Sequence, residues 1–177
     1  MTSTTDRPDV PVDVPTDLQN AENGFTASTR LGDHLQAVLA DLVELANLGK
    51  QAHWNVVGPN FRDTHLHLDE IVEEAREHAD VVAERMRALH FVPDGRTATV
   101  AQTTTVAPYP AGEVSTRQTV DLVTAAVERT VQTMRRVHDD VDQEDPTSAD
   151  LLHAAIAELE KLAWMLAAEN RTPDPVE

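Results

Sequence analysis

Five side chains able to hold a metal ion, His53, His65, Asp69, Asp80 and Glu84, follow one another at steps of twelve, four, eleven and four residues. Imidazole plus carboxylate suits iron, manganese or zinc, and a carboxylate-rich mixture suits iron that cycles between two oxidation states. On one helix, His65, Asp69, Asp80 and Glu84 fall at about 0°, 40°, 60° and 100° around the axis, a single face. They do not share a height: Asp69 and Asp80 stand roughly 16 Å apart along such a helix, against about 2 Å for a metal–ligand bond. One chain alone cannot close this site. Two copies of the helix packed antiparallel about a two-fold axis would bring the His65/Asp69 end of one to the Asp80/Glu84 end of the other, giving two equivalent sites per dimer. Taken singly these residues are ordinary, since a histidine beside an apolar stripe is usually packed and acids on a helix are usually solvated. It is five in register, with His53 ahead of a Gly58–Pro59 break, that surface decoration does not readily produce.

The elements that must position them are helices. Leu31, Leu35, Val38, Leu42, Leu45, Gly49, Ala52 and Val56 recur every three or four residues, the mark of an amphipathic helix starting near Thr26, with His53 beside its stripe. Gly58–Pro59 stops it. Asn60 is the expected N-cap of a second helix running to about Phe91, with Asp63 favourable in its first turn. Pro93, Gly95, Pro108, Pro110 and Gly112 mark a long irregular connection in which Thr97 to Thr103 can form a short helix. Ser115 with Gln118 resembles a capping box, and Val120, Val123, Val127, Val131, Met134, Val137 and Val141 trace a third long helix. Asp145–Pro146 restarts the chain as N-cap and first helical residue, and Leu152, Ile156, Leu159, Leu162 and Leu166 carry a fourth to about Asn170. The fold class is therefore all-α: a four-helix bundle of the ferritin-like kind, with a short extra helix in the long crossover between helices 2 and 3. Residues 1–25 are expected to be a disordered acidic tail, 26–172 the bundle and 173–177 a short tail. Di-iron sites inside such bundles use paired Glu-x-x-His motifs, which this chain lacks; Asp150-x-x-His153 is a lone imitation, expected to be a surface or assembly feature.

Composition narrows the chemistry. The chain has 177 residues, no cysteine and a formal net charge of −17. Any metal must be held by nitrogen and oxygen, and adhesion to nucleic acid or an anionic membrane is opposed. No stretch resembles a membrane span or a signal peptide, so a cytoplasmic protein is expected.

The run His53-Trp54-Asn55-Val56-Val57-Gly58, then Asn60-Phe61-Arg62-Asp63 and the His65, Asp69, Asp80, Glu84-Arg85 series, resembles the Dps mini-ferritins, the DNA-binding proteins from starved cells, and within them the second actinobacterial type. The likeness extends from about Thr26 to Arg171. The resemblance implies a homo-oligomer, a hollow dodecamer built from two-fold dimers. It also implies ferroxidase centres made by His53, His65 and Asp69 of one subunit with Asp80 and Glu84 of the next. Such an enzyme oxidises ferrous iron, preferentially with hydrogen peroxide rather than oxygen, and stores ferric mineral, protecting against oxidative stress. Trp54 matches a tryptophan that donates an electron in the family, though a tryptophan beside a core stripe is more often packed. Acidic three-fold pores in the family fall near the junction of the third and fourth helices, where Asp145 and Asp150 are the expected lining.

Two expectations need no family. Glu73, Glu74 and Glu77 adjoin the ligand arc and suit a mineral-nucleating surface, although an ordinary solvated face would look the same. The first 25 residues offer Arg7 against Asp6, Asp9, Asp13, Asp17 and Glu22, so the alternative function, a nucleoid-associated protein that compacts DNA, lacks the basic tail it would need.

Overall fold

The structure, a computed structural model, describes residues 25–173. The expected tail over residues 1–25 lies almost wholly outside the described residues, as does most of 173–177. Four long helices form the bundle: α1 Thr29–Asn55, α2 Phe61–Ala88, α4 Thr116–Glu144 and α5 Pro146–Ala168, with α3 Thr97–Thr103 in the crossover. The all-α architecture read from the sequence is the one observed. The apolar stripes converge on one core in which Leu35, Leu42, Leu45, Leu68, Ile71, Met134, Leu152 and Leu159 are fully buried. Each such leucine contributes about 1.5–3 kcal/mol by leaving water.

α1 packs chiefly on α2, and α4 on α5. Gly49 allows the first pair to approach: a Cβ there would come within 2.6 Å of Val72 Cγ2. After α1 the chain makes a two-residue strand, β1 Val56–Val57, which pairs in parallel with β2 Val114–Ser115. This short clamp ties the end of α1 to the start of α4, and Gly58 turns away from it at φ +127° beside Thr116. The buried carboxylate of Asp41 fixes the crossover, accepting hydrogen bonds from Thr104 Oγ1, Thr105 N and Thr105 Oγ1 at 2.8, 2.6 and 2.8 Å.

Three boundaries differ in detail from expectation. Asn60 precedes α2 in the left-handed region, φ 56°, and its side chain makes no cap hydrogen bond. α2 ends at Ala88 rather than Phe91, because His90 adopts φ 67° and the amides of Phe91 and His90 close on Met86 O and Arg87 O at 2.9 and 3.0 Å. That is a Schellman stop with histidine where glycine is usual. Ser115 does cap α4, its hydroxyl accepting from Gln118 N. Asp145 stands at the N-cap position of α5 with Pro146 behind it, but its carboxylate caps nothing on the backbone.

Candidate metal centre

The antiparallel packing of α1 on α2 puts the last turn of one beside the first turns of the other. There, one ligand atom each from His53, His65 and Asp69 lies within 4.8 Å of the others. The two imidazoles stack at 3.6 Å between centroids, and each bonds the other's backbone: His53 Nδ1 to His65 O at 3.1 Å, His65 Nδ1 to His53 O at 3.0 Å. A carbonyl can only accept, so both Nδ1 atoms carry the proton, and in the neutral rings both Nε2 atoms keep their lone pairs for a metal. Asp69 Oδ1 also lies 3.3 Å from His53 Nδ1. Phe61 packs its ring near His65, tilted, 5.1 Å between ring centres.

Asp69 has a further partner that spacing alone did not single out. Lys50, one helical turn before His53 and on the same side of α1, hydrogen-bonds Asp69 Oδ1. That bond, aided by the nearby histidines, holds the Asp69 carboxyl below its ordinary range against the opposing effect of desolvation. The available sign was position, a lysine at i−3 from a ligand histidine on a helix.

Asp80 and Glu84 are not part of this cluster. Both are exposed farther along α2. Lys50, Asp69, Glu73, Arg76, Glu77 and Asp80 line one open trough of about 700 Å³, so the two groups of ligands look out from the same side of the molecule. Glu73, Glu74 and Glu77 do not behave as one patch: Glu73 and Glu77 face this trough, whereas Glu74 lies 3.6 Å from His78 and close enough to Lys161 of α5 to favour its charge.

Trp54 is 71% exposed and so is not a core residue, although it follows His53 directly. The expectation that Asp145 and Asp150 line an acidic passage together meets a correction. Asp145 is 3% exposed, and its carboxylate is held by the Arg85 guanidinium at 2.8 and 2.9 Å and by Ser148 Oγ. It ties the end of α2 to the start of α5 and offers nothing to solvent. Asp150 has an exposed side chain, 3.8 Å from His153 Nδ1, and His153 lies against His138 with ring centres 4.4 Å apart.

Among the described residues no helix is long and apolar enough to cross a membrane. The family model of the ferritin-like domain matches residues 32–172. A DNA protection during starvation protein of Agrobacterium fabrum is 34% identical over 135 residues, 76% of this chain and 83% of that protein. The fine tangled pili major subunit of Haemophilus ducreyi is 37% identical over 147 residues, 82% of this chain and 78% of its own. Among solved structures, Dps from Microbacterium arborescens in its high iron form superimposes with a TM-score of 0.77 at 32% identity, covering 82% of this chain and 97% of that one. Bundle, crossover helix, family model and these relatives agree, and the chain belongs to the ferritin-like family as a Dps-type mini-ferritin.

Proposed function

We propose that this protein is a ferroxidase and iron store in which the metal site is completed between two subunits. The observation that carries the reading is the half-built cluster: His53, His65 and Asp69 converge within one chain, while Asp80 and Glu84 remain exposed on the same side. Two nitrogens and three carboxylates make a donor set suited to ferrous iron as substrate. An antiparallel partner supplies the missing carboxylates, giving two equivalent sites per dimer. Stacked, backbone-anchored imidazoles hold their Nε2 atoms in place before metal arrives, so little reorganisation opposes binding.

At a di-iron site the reaction balances without radicals: two ferrous ions each give one electron, one peroxide takes both together with two protons, and two ferric ions and two waters result. Dioxygen is the alternative oxidant. Trp54, exposed and next to His53 in the chain, gives the second electron when one iron is bound alone. Ferric product moves to a mineral store in a dodecameric shell; of the expected nucleating acids Glu73, Glu74 and Glu77, Glu74 and Glu77 keep that role, whereas Glu73, nearer the middle of the α2 face that would meet the partner, goes to the subunit contact. Protection of the cell follows from removing peroxide and ferrous iron together in the cytoplasm. DNA compaction is the weaker reading, since a net charge of −17 repels phosphate.

Anaerobic ferrous titration followed by peroxide tests this. Two irons per site, four per dimer, with one peroxide consumed per two irons and prompt ferric absorbance, is the expected result. Binding no tighter than to an unstructured acidic surface, or no ferric product, defeats the reading.

A further inference from the structure

An antiparallel α2 pair about a two-fold axis has one register, and it reaches residues the metal site does not use. Facing positions keep a constant total, so matching 65 with 84 and 69 with 80 also sets 73 against 76 and 66 against 83. Glu73 and Arg76 stand at about 80° and 20° around α2, either side of the direction, about 50°, that faces the partner. We infer that Glu73 of each subunit pairs with the partner's Arg76, and that these two reciprocal ion pairs astride the axis set the register in which the two half-sites meet. The inference rests on the shared-site reading above and adds Glu73 and Arg76 to it as positioning residues.

Three observations bear on it. Arg76 is the one lysine or arginine between Asp69 and Asp80, on a face that otherwise carries acids, so two copies brought together repel unless each arginine is shared. Arg76 has acids within helical reach in its own chain, Glu73 at i−3 and Asp80 at i+4, yet among the described residues it forms no hydrogen bond or ion pair, and neither does Glu73. Both side chains are exposed and line the trough that joins Asp69 to Asp80. The third observation is apolar. Leu66 is 44% exposed, and the register sets it against Ala83, which with Leu39, Val43 and Ala79 lines the mainly apolar part of a depression of about 320 Å³ that Arg76 and Asp80 also border. Charge meets opposite charge at the axis, and an exposed leucine meets an apolar hollow on each flank.

Charge reversal gives a test with a distinctive pattern. Glu73→Arg alone puts two arginines from each chain at the axis, and Arg76→Glu alone puts two acids there. Each variant by itself should pair at least about tenfold more weakly than wild type. Mixed together they should pair with each other, because the arginine introduced at 73 meets the acid introduced at 76 while native Arg76 meets native Glu73. The double variant should pair with itself. Native mass spectrometry of the metal-free protein, with the two variants distinguishable by mass, reads homodimer against heterodimer, and the double variant guards against mere misfolding. Ferrous oxidation should fall in each single variant and return in the mixture and in the double variant. Unimpaired pairing of the single variants, or a mixture and double variant no better than the singles, overturns the inference. Because pairing is read without iron, variants that pair in this pattern beside a wild type that oxidises no iron overturn the proposed function instead.

Discussion

The two ends of α2 are built differently. At the start, His65 and Asp69 are met by His53 and Lys50 of α1, and the imidazoles are anchored to backbone before any metal arrives. Toward the other end, Asp80 and Glu84 find no in-chain ligand partners among the described residues; the ordering there goes instead to the neighbouring Arg85, which is locked to Asp145 and Ser148. One end is preorganised at its ligands, the other at the backbone that carries them. A symmetric assembly can join such halves without either being complete alone, and in the proposed shared site this would keep the isolated chain from holding two irons before it has a partner.

The largest effect should come from breaking the two halves separately. His65→Ala and Asp80→Ala should each lower rapid ferrous oxidation by at least about 100-fold, since loss even of residues that only support a ligand costs 10–100-fold. Mixing the two variants should restore a fraction of the rate, because one of the two sites in a mixed dimer regains all five ligands. Exchange of subunits without any return of activity would mean that the two halves do not form one shared site. Next in size is Arg85→Ala, which strands the Asp145 carboxylate in the core. Removing one partner of a buried pair costs about 3–5 kcal/mol, to be measured by denaturant unfolding. If the comparison is right, oxidation by whatever folded protein remains should also fall, through displacement of the Asp80/Glu84 end, while the His53/His65 end still binds a first iron.

That asymmetry bears on what was legible in the sequence. The bundle was, because its stripes run at helical period and its breaks are Gly58–Pro59 and Asp145–Pro146. The separation of the two ligand groups along α2 was also legible, since helical rise alone puts them out of reach. Less legible were features that depend on what another element offers. Asp145 has the right position and neighbour for a cap, but Arg85 and Ser148 claim its carboxylate, and only tertiary packing brings Arg85 there. The stop at Ala88 used His90 in the left-handed region, where no glycine announces it. Asp41 is an unremarkable acid in an apolar stripe until the crossover folds back with three donors for it.

Lys50 sharpens the comparison at the preorganised end. Its bond lowers the Asp69 pKa, so the carboxylate stays ionised further into acid. This contribution to stability is fully present above the unfolded carboxylate value and is lost as pH falls through the lowered folded one. In the proposed site lysine would also compete with iron for the same oxygen. Lys50→Met should therefore act in two directions: at pH 7 ferrous binding tightens by about threefold, the scale of a half-exposed ion pair, and the acid limb of binding moves to higher pH. A pH series of anaerobic ferrous titrations reads both. Weaker binding at pH 7 would mean that Lys50 positions Asp69 rather than competing for it.

The smallest effect is expected far from either end of α2. In the proposed closed shell ferrous ions must reach the inside, and the junction of α4 and α5 carries Asp139, Asp140, Asp142, Glu144 and Asp150. Asp145 is removed from the candidates by its burial against Arg85, so Asp150, with an exposed side chain past the first turn of α5, carries the proposal alone. Three symmetry-related carboxylates around a narrow passage would concentrate cations by focusing the field, an effect that salt screens. Asp150→Asn should slow uptake at low ferrous concentration by about twofold to threefold and flatten its dependence on salt. First-turnover oxidation at saturating iron should be unchanged, because the mutated residue touches neither half of the metal site. Stopped-flow ferric absorbance at two ionic strengths separates the cases. Wild-type uptake and salt dependence would remove Asp150 from the iron path, whereas equal slowing at saturating iron would show that the change had disturbed assembly, and with it the meeting of the two ends of α2.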